Sequence, residues 1–115
     1  MIPVIDFFCI ELKILPMKVE TKQELMQRLS AVKPKLQADF GVLHIGFFGS
    51  FAKNNINPNS DVDILVEMKE PDFDSVVGLQ IFLESIFERH VDLVRKRSQI
   101  KPSFLNRIQK DLINV

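Results

Sequence analysis

Two aspartates one residue apart, Asp61 and Asp63, follow a Gly49-Ser50 pair at a separation of ten residues and constrain this chain more than any other stretch. Residues 46–67 read GFFGSFAKNNINPNSDVDILVE: an apolar strand, a Gly-Ser turn into a short helix, a loop, then two acids on a second strand. Side chains on a strand alternate between faces, so Asp61 and Asp63 share one face while Val62, Ile64 and Val66 line the other. Carboxylates held side by side repel, and the arrangement becomes favourable with a divalent cation of oxygen preference, Mg²⁺ or Mn²⁺, between them. The pattern predicts a metal site and, with the Gly-Ser turn, a triphosphate site.

The rest of the chain has to build a scaffold for that site. Its 115 residues suit one domain with one modest core, and 46% apolar with 26% charged residues is the balance of a globular protein. Fifteen basic and fifteen acidic side chains cancel, so no global field steers the protein to nucleic acid or to an anionic membrane, and no direct nucleic-acid binding is expected. A single cysteine, Cys9, excludes an intrachain disulfide and a Cys-based metal site, in keeping with a cytoplasmic protein. Residues 1–16, MIPVIDFFCIELKILP, are apolar, yet Asp6, Glu11 and Lys13 interrupt the run that a signal peptide needs, and no span reaches the ~20 residues of a membrane helix. Ile10, Leu12 and Ile14 alternate with Glu11 and Lys13 as in a half-buried strand. Because Met17 follows Pro16, residues 1–16 read either as an added edge strand or as an extension ahead of a domain over 17–115.

Thr21 with Glu24 is a capping-box pattern, and Leu25, Leu29, Val32 and Leu36 follow at helical spacing up to Gly41, with Pro34 expected to kink or divide the helix. Val42 to Phe48 is a mostly apolar strand in which His44 reads as a hydrogen-bonded core or strand-edge histidine. Asn54 to Ser60 form a turn-rich loop. Pro71 and Asp72 open a helix through Val76, Leu79, Leu83, Ile86 and Phe87 to about Arg89. His90 to Arg95 is a short strand carrying a third acid, Asp92, and Arg95, Lys96, Arg97 and Lys101 make a basic run that reads as a solvated loop. The segment from Pro102 through Leu112 is helical in period. This order predicts an α/β (α+β) domain, a small mixed sheet flanked by helices.

FFGSFAKNN, then SDVDILVE, then VDLV about thirty residues on, together resemble the minimal nucleotidyltransferase family of the polymerase-beta superfamily, from about residue 22 to the C-terminus. The resemblance implies that Asp61, Asp63 and Asp92 hold two Mg²⁺ ions, with Mn²⁺ as an alternative, and that Gly49, Ser50 and Lys53 bind the phosphates of ATP. Asp92 would serve the metal that activates the incoming hydroxyl. Family members often carry Ala-Arg-Gly where this chain has Ala52-Lys53-Asn54; lysine keeps the charge without arginine's fork, and asparagine tolerates a positive φ.

Larger transferases of the superfamily carry a second domain for the acceptor, and this chain has no residues left to build one. The acceptor implied by the resemblance is a HEPN-family RNase toxin, which such proteins neutralise by adding AMP, often to tyrosine; homo-oligomerisation is a further expectation. Two alternatives stand beside it: an antitoxin that works by binding alone, and a small-molecule transferase of the aminoglycoside-modifying kind completed by dimerisation.

Overall fold

The structure is a computed structural model that describes residues 17–96 and 101–115. Thr21 caps helix α1 (Lys22–Phe40), its hydroxyl accepting from the Glu24 amide at 3.0 Å while the Glu24 carboxylate accepts from the Glu20 amide at 3.0 Å. The helix does not divide at Pro34. Both Pro34 and Ser30, four residues earlier, are exposed, so the carbonyl that loses its helical donor can turn to water and the apolar stripe Leu25, Leu29, Val32 and Leu36 holds both halves to the core. Gly41, in the left-handed region at φ 67°, ends the helix.

Strand β1 (Val42–Phe48) leads through the short helix α2 (Gly49–Ala52) and the loop to β2 (Val62–Met68); α3 (Phe73–Phe87) then crosses to β3 (Val91–Arg95), and α4 (Pro102–Gln109) precedes β4 (Ile113–Asn114). The sheet order is β3-β2-β1-β4, with β2 and β3 parallel and the other pairs antiparallel, so the sheet is mixed. Asp72 caps α3 by accepting from the Ser75 amide at 2.8 Å. Helix α4 is shorter than its sequence period suggests, because Ile113 and Asn114 leave it to pair with Phe47 and Gly46. Gly46 makes that pairing possible: a Cβ there would lie 2.7 Å from the Ile113 carbonyl.

One face of the sheet is closed. Phe47, Val62, Ile64, Val66 and Val91 are fully buried there beneath Leu29, Val32 and Leu36 of α1 and Leu79, Leu83 and Phe87 of α3. Of the alternate residues on the other face, Gly46 and Leu65 are buried, whereas Phe48, Asp63, Asp92, His44 and Glu67 stay half-buried or exposed. His44 thus stands exposed opposite Glu67 rather than in the core. No helix among the described residues is long and apolar enough to cross a membrane. The alternating segment at residues 10–14, Cys9 and Arg97 lie outside the described residues.

Candidate active site

Parallel pairing of β2 with β3 sets Asp63 directly beside Asp92, and antiparallel pairing with β1 sets Phe48 on its other side. Asp61 sits one residue before β2 rather than on it, exposed at the end of the loop. Burial raises the pKa of the Asp63 carboxyl above its ordinary value, the charges of Asp92 and then Asp61 raise it further, and His90 opposes them. The three predicted acids therefore act on one another, although among the described residues no three acidic, histidine or cysteine side chains are closed into a metal cluster. As oxygen donors, the neighbouring carboxylates of Asp63 and Asp92 suit a hard divalent cation such as Mg²⁺ or Mn²⁺.

Gly49 has a reason beyond the approach of phosphate. It begins α2 with φ 73°, a conformation L side chains rarely adopt, and a Cβ at this position would overlap Asp63 Oδ2 and lie 3.0 Å from its Cγ. The turn and the carboxylate thus occupy adjoining space, which puts the start of α2, with Ser50 next in line, immediately over the acids. Phe48 supplies no side-chain cap to this helix. Asn54 takes φ 60°, as its sequence context suggests, and follows a left turn out of α2. Lys53 points toward the end of α4, its Nζ 3.5 Å from Asp111 Oδ2, with both side chains largely exposed.

Two residues of the site gave no sequence signal. Arg89, buried at the end of α3, donates from Nε to the Val19 carbonyl at 2.5 Å and from Nη1 to the carbonyls of Asn57 at 3.1 Å and Ser60 at 2.7 Å. Its guanidinium also stands 5.2 Å from the ring centre of Phe51 in α2. One side chain thereby ties the loop that delivers Asp61 to the helix that follows Gly49. His90 follows it, exposed just before β3, its Nδ1 3.0 Å from Glu84 Oε2 of α3. The partners of Arg89 are backbone carbonyls about thirty residues away in sequence and, for Val19, 70 away, which no local pattern announces.

A four-stranded mixed sheet with Asp63 and Asp92 side by side on one face and a glycine turn against Asp63 is an arrangement that suits a nucleotidyltransferase domain. Residues 29–115 match the nucleotidyltransferase domain family, and the chain belongs to it. It is 35% identical over 100 residues to the protein adenylyltransferase MntA of Thermococcus cleftensis, a match covering 86% of this chain and all of the relative. A Methanocaldococcus jannaschii relative, MJ0126, also named for protein adenylyltransferase activity, is 33% identical over 98 residues, covering 84% of this chain and all of its own. The fold superposes on a solved minimal nucleotidyltransferase with a TM-score of 0.69 at 27% identity, covering 83% of this chain and 96% of that one. A crystal structure of a toxin-antitoxin with AMP-PNP gives 0.59 at 27% identity, over 71% and 68%.

Proposed function

We propose that this nucleotidyltransferase is a protein adenylyltransferase serving as an antitoxin, which moves AMP from ATP to a tyrosyl hydroxyl of a HEPN-family toxin with Mg²⁺ as its cofactor. The observation that carries this reading is the pairing of Asp63 with Asp92 on the sheet face turned away from α1 and α3, against the Gly49 turn. The names of the relatives support a protein acceptor, and the likeness to a toxin-antitoxin structure with AMP-PNP supports both the partner and the nucleotide.

Asp61, Asp63 and Asp92 would hold the Mg²⁺, with Mn²⁺ able to replace it. A cation there offsets charge on the transferred phosphoryl group and eases ionisation of the attacking hydroxyl. Gly49 and Ser50, at the start of α2, lie where backbone amides can meet phosphate oxygens. Lys53, exposed and only loosely paired with Asp111, can exchange that partner for a phosphate. Asp92, like Asp61, is exposed whereas Asp63 is half-buried, so an incoming side chain can reach Asp92. As the phenolic oxygen bonds to the α-phosphorus, the bond to the bridging oxygen of pyrophosphate breaks and the phenolic proton passes to Asp92. A phenol with pKa about 10 gives up that proton more readily than a serine hydroxyl. The chain contains no tyrosine, so a tyrosyl acceptor must come from another molecule.

The test is intact-mass measurement after incubating the protein with ATP, Mg²⁺ and a HEPN-family toxin. A gain of AMP units on the toxin, none on this chain, and loss of the gain in Asp92→Asn are the expected results. Tight binding without any mass gain would assign the protein to inhibition by occlusion, and self-modification on serine or threonine with none on the toxin would overturn the acceptor.

A further inference from the structure

The sheet face that carries the acids is ordered in rows. Strand register sets Phe48, Asp63 and Asp92 side by side, and two residues further along β2 it sets Gly46, Leu65 and Val94 in the next row. His44 and Glu67 begin a third row. Lys96 joins it, because its amide donates to the Val66 carbonyl at 2.7 Å and so continues the register beyond Arg95. The rows differ in kind: acidic, then apolar, then charged. By strand rise the second lies about 7 Å from the acids and the third about 13 Å.

A cavity of about 250 Å³ spans the second and third rows. Leu65 and Gly46 are its buried floor, and Leu112, whose Cδ1 would lie 3.0 Å from a Cβ on Gly46, borders it together with Gln109 of α4. Glu67 and Lys96 stand at its far end. Among the described residues no hydrogen bond or ion pair engages the side chains of Glu67, Lys96 or Gln109. The volume falls below the ~300 Å³ at which pockets begin to enclose a whole drug-sized ligand, and suits a single flat ring system.

We infer that this cavity is the base subsite of the nucleotide, with Glu67 and Lys96 reading the edge of adenine. The inference rests on the nucleotidyl-transfer reading above and adds where the nucleoside lies. In an in-line displacement the attacking oxygen, the phosphorus and the leaving oxygen share one axis. With pyrophosphate at the Gly49 turn and the acceptor at Asp92, that axis runs across the strands along the acidic row. The nucleoside ester has to depart from the axis, and along the strands of this face it meets first the apolar row and then the charged one, at the reach of a ribose and of a purine edge. The 6-amino group of adenine donates and its N1 accepts, whereas a carboxylate accepts and an ammonium donates. Glu67 and Lys96 side by side offer that complement beyond an apolar floor for the ring. An acceptor side chain enters at the Asp92 end of the axis and leaves this cavity to the base.

Calorimetric titration of the protein with Mg²⁺ and, in turn, ATP, inosine triphosphate and inorganic tripolyphosphate tests the inference. Inosine reverses the edge, since an oxygen replaces the 6-amino group and N1 carries a hydrogen. ATP should bind at least about tenfold more tightly than either of the others. Glu67→Gln, whose carboxamide both donates and accepts, should bring ATP and inosine triphosphate within about threefold of each other. Gln109→Trp, a change at an exposed position, should fill the cavity and weaken both nucleotides to about the level of tripolyphosphate, whose own affinity should stay the same in both variants. ATP binding no tighter than tripolyphosphate would overturn the inference, as would unchanged ATP binding by Gln109→Trp; if that variant also lost transfer, the cavity would belong to the acceptor. Failure of the unmodified protein to bind either ATP or tripolyphosphate would instead overturn the nucleotide reading, and this inference with it.

Discussion

Phe47, Ile64 and Leu93 lie side by side across β1, β2 and β3 on the closed face, and one residue along the same strands Phe48, Asp63 and Asp92 form the corresponding row on the open face. In the first row Phe47 and Ile64 are fully buried under two helices and Leu93 is partly buried; the second keeps two like charges adjacent, with a third nearby, at a cost to the Asp63 carboxylate. Strand alternation allows one set of backbone hydrogen bonds to serve both, so the closed face supplies the stability that the open face consumes. Substitutions on the two faces should accordingly move stability in opposite directions.

Phe47→Ala attacks the closed face where no exposure remains and should lower unfolding free energy by about 3–5 kcal/mol in urea titration, with transfer by the remaining folded fraction intact. A loss below about 1 kcal/mol would mean that this face repacks. Arg89→Ala lies between the faces: the backbone carbonyls of Val19, Asn57, Pro58 and Ser60 lose their donor, at about 1–3 kcal/mol, and the loop before Asp61 loosens. Its transfer rate should fall while the protein is still folded, and amides of residues 57–60 should exchange faster; an unchanged rate would show that the loop holds Asp61 without the arginine.

Asp63→Asn gives the smallest change in stability. Because folding raises this carboxyl's pKa, the ionised group weakens the metal-free native state at neutral pH, and that penalty fades as pH falls through the raised value toward the ordinary ~3.9. With a chelator present, the variant should gain up to about 1 kcal/mol at pH 7, solvent screening the repulsion, and the gain should vanish near pH 3.5. Transfer should be lost altogether. A destabilised variant at pH 7 would mean that the Asp63 carboxylate makes native contacts stronger than the repulsion it suffers.

Much of this molecule could be read from local pattern because local chemistry decides it. β1 spans the apolar run Val42 to Phe48, Thr21 and Glu24 cap α1 as their spacing implies, and Asp63 and Asp92 fall on adjacent strands. What escaped depends on distant partners. Two residues pairing at Ile113–Asn114 are too few to show a period, and the space for them is made by Gly46 on another strand. Asp61 was placed on β2 by alternation, yet it precedes the strand, which starts only where His90 accepts from the Val62 amide. Arg89 looked like the last residue of a helix and proved to be the tie between loop, N-terminal segment and α2.

The crowding of Gly49 against Asp63 also bears on descent. Enlarging the side chain at 49 is barred while the acid stands, and shortening the acid would lift the steric bar, leaving only the left-handed backbone to favour glycine or asparagine. The two positions are therefore bound in inheritance as well as in space: a lineage that gave up group transfer and kept only the ability to bind would be free to drift at both, and a paired change there would mark the branch at which the chemistry was abandoned.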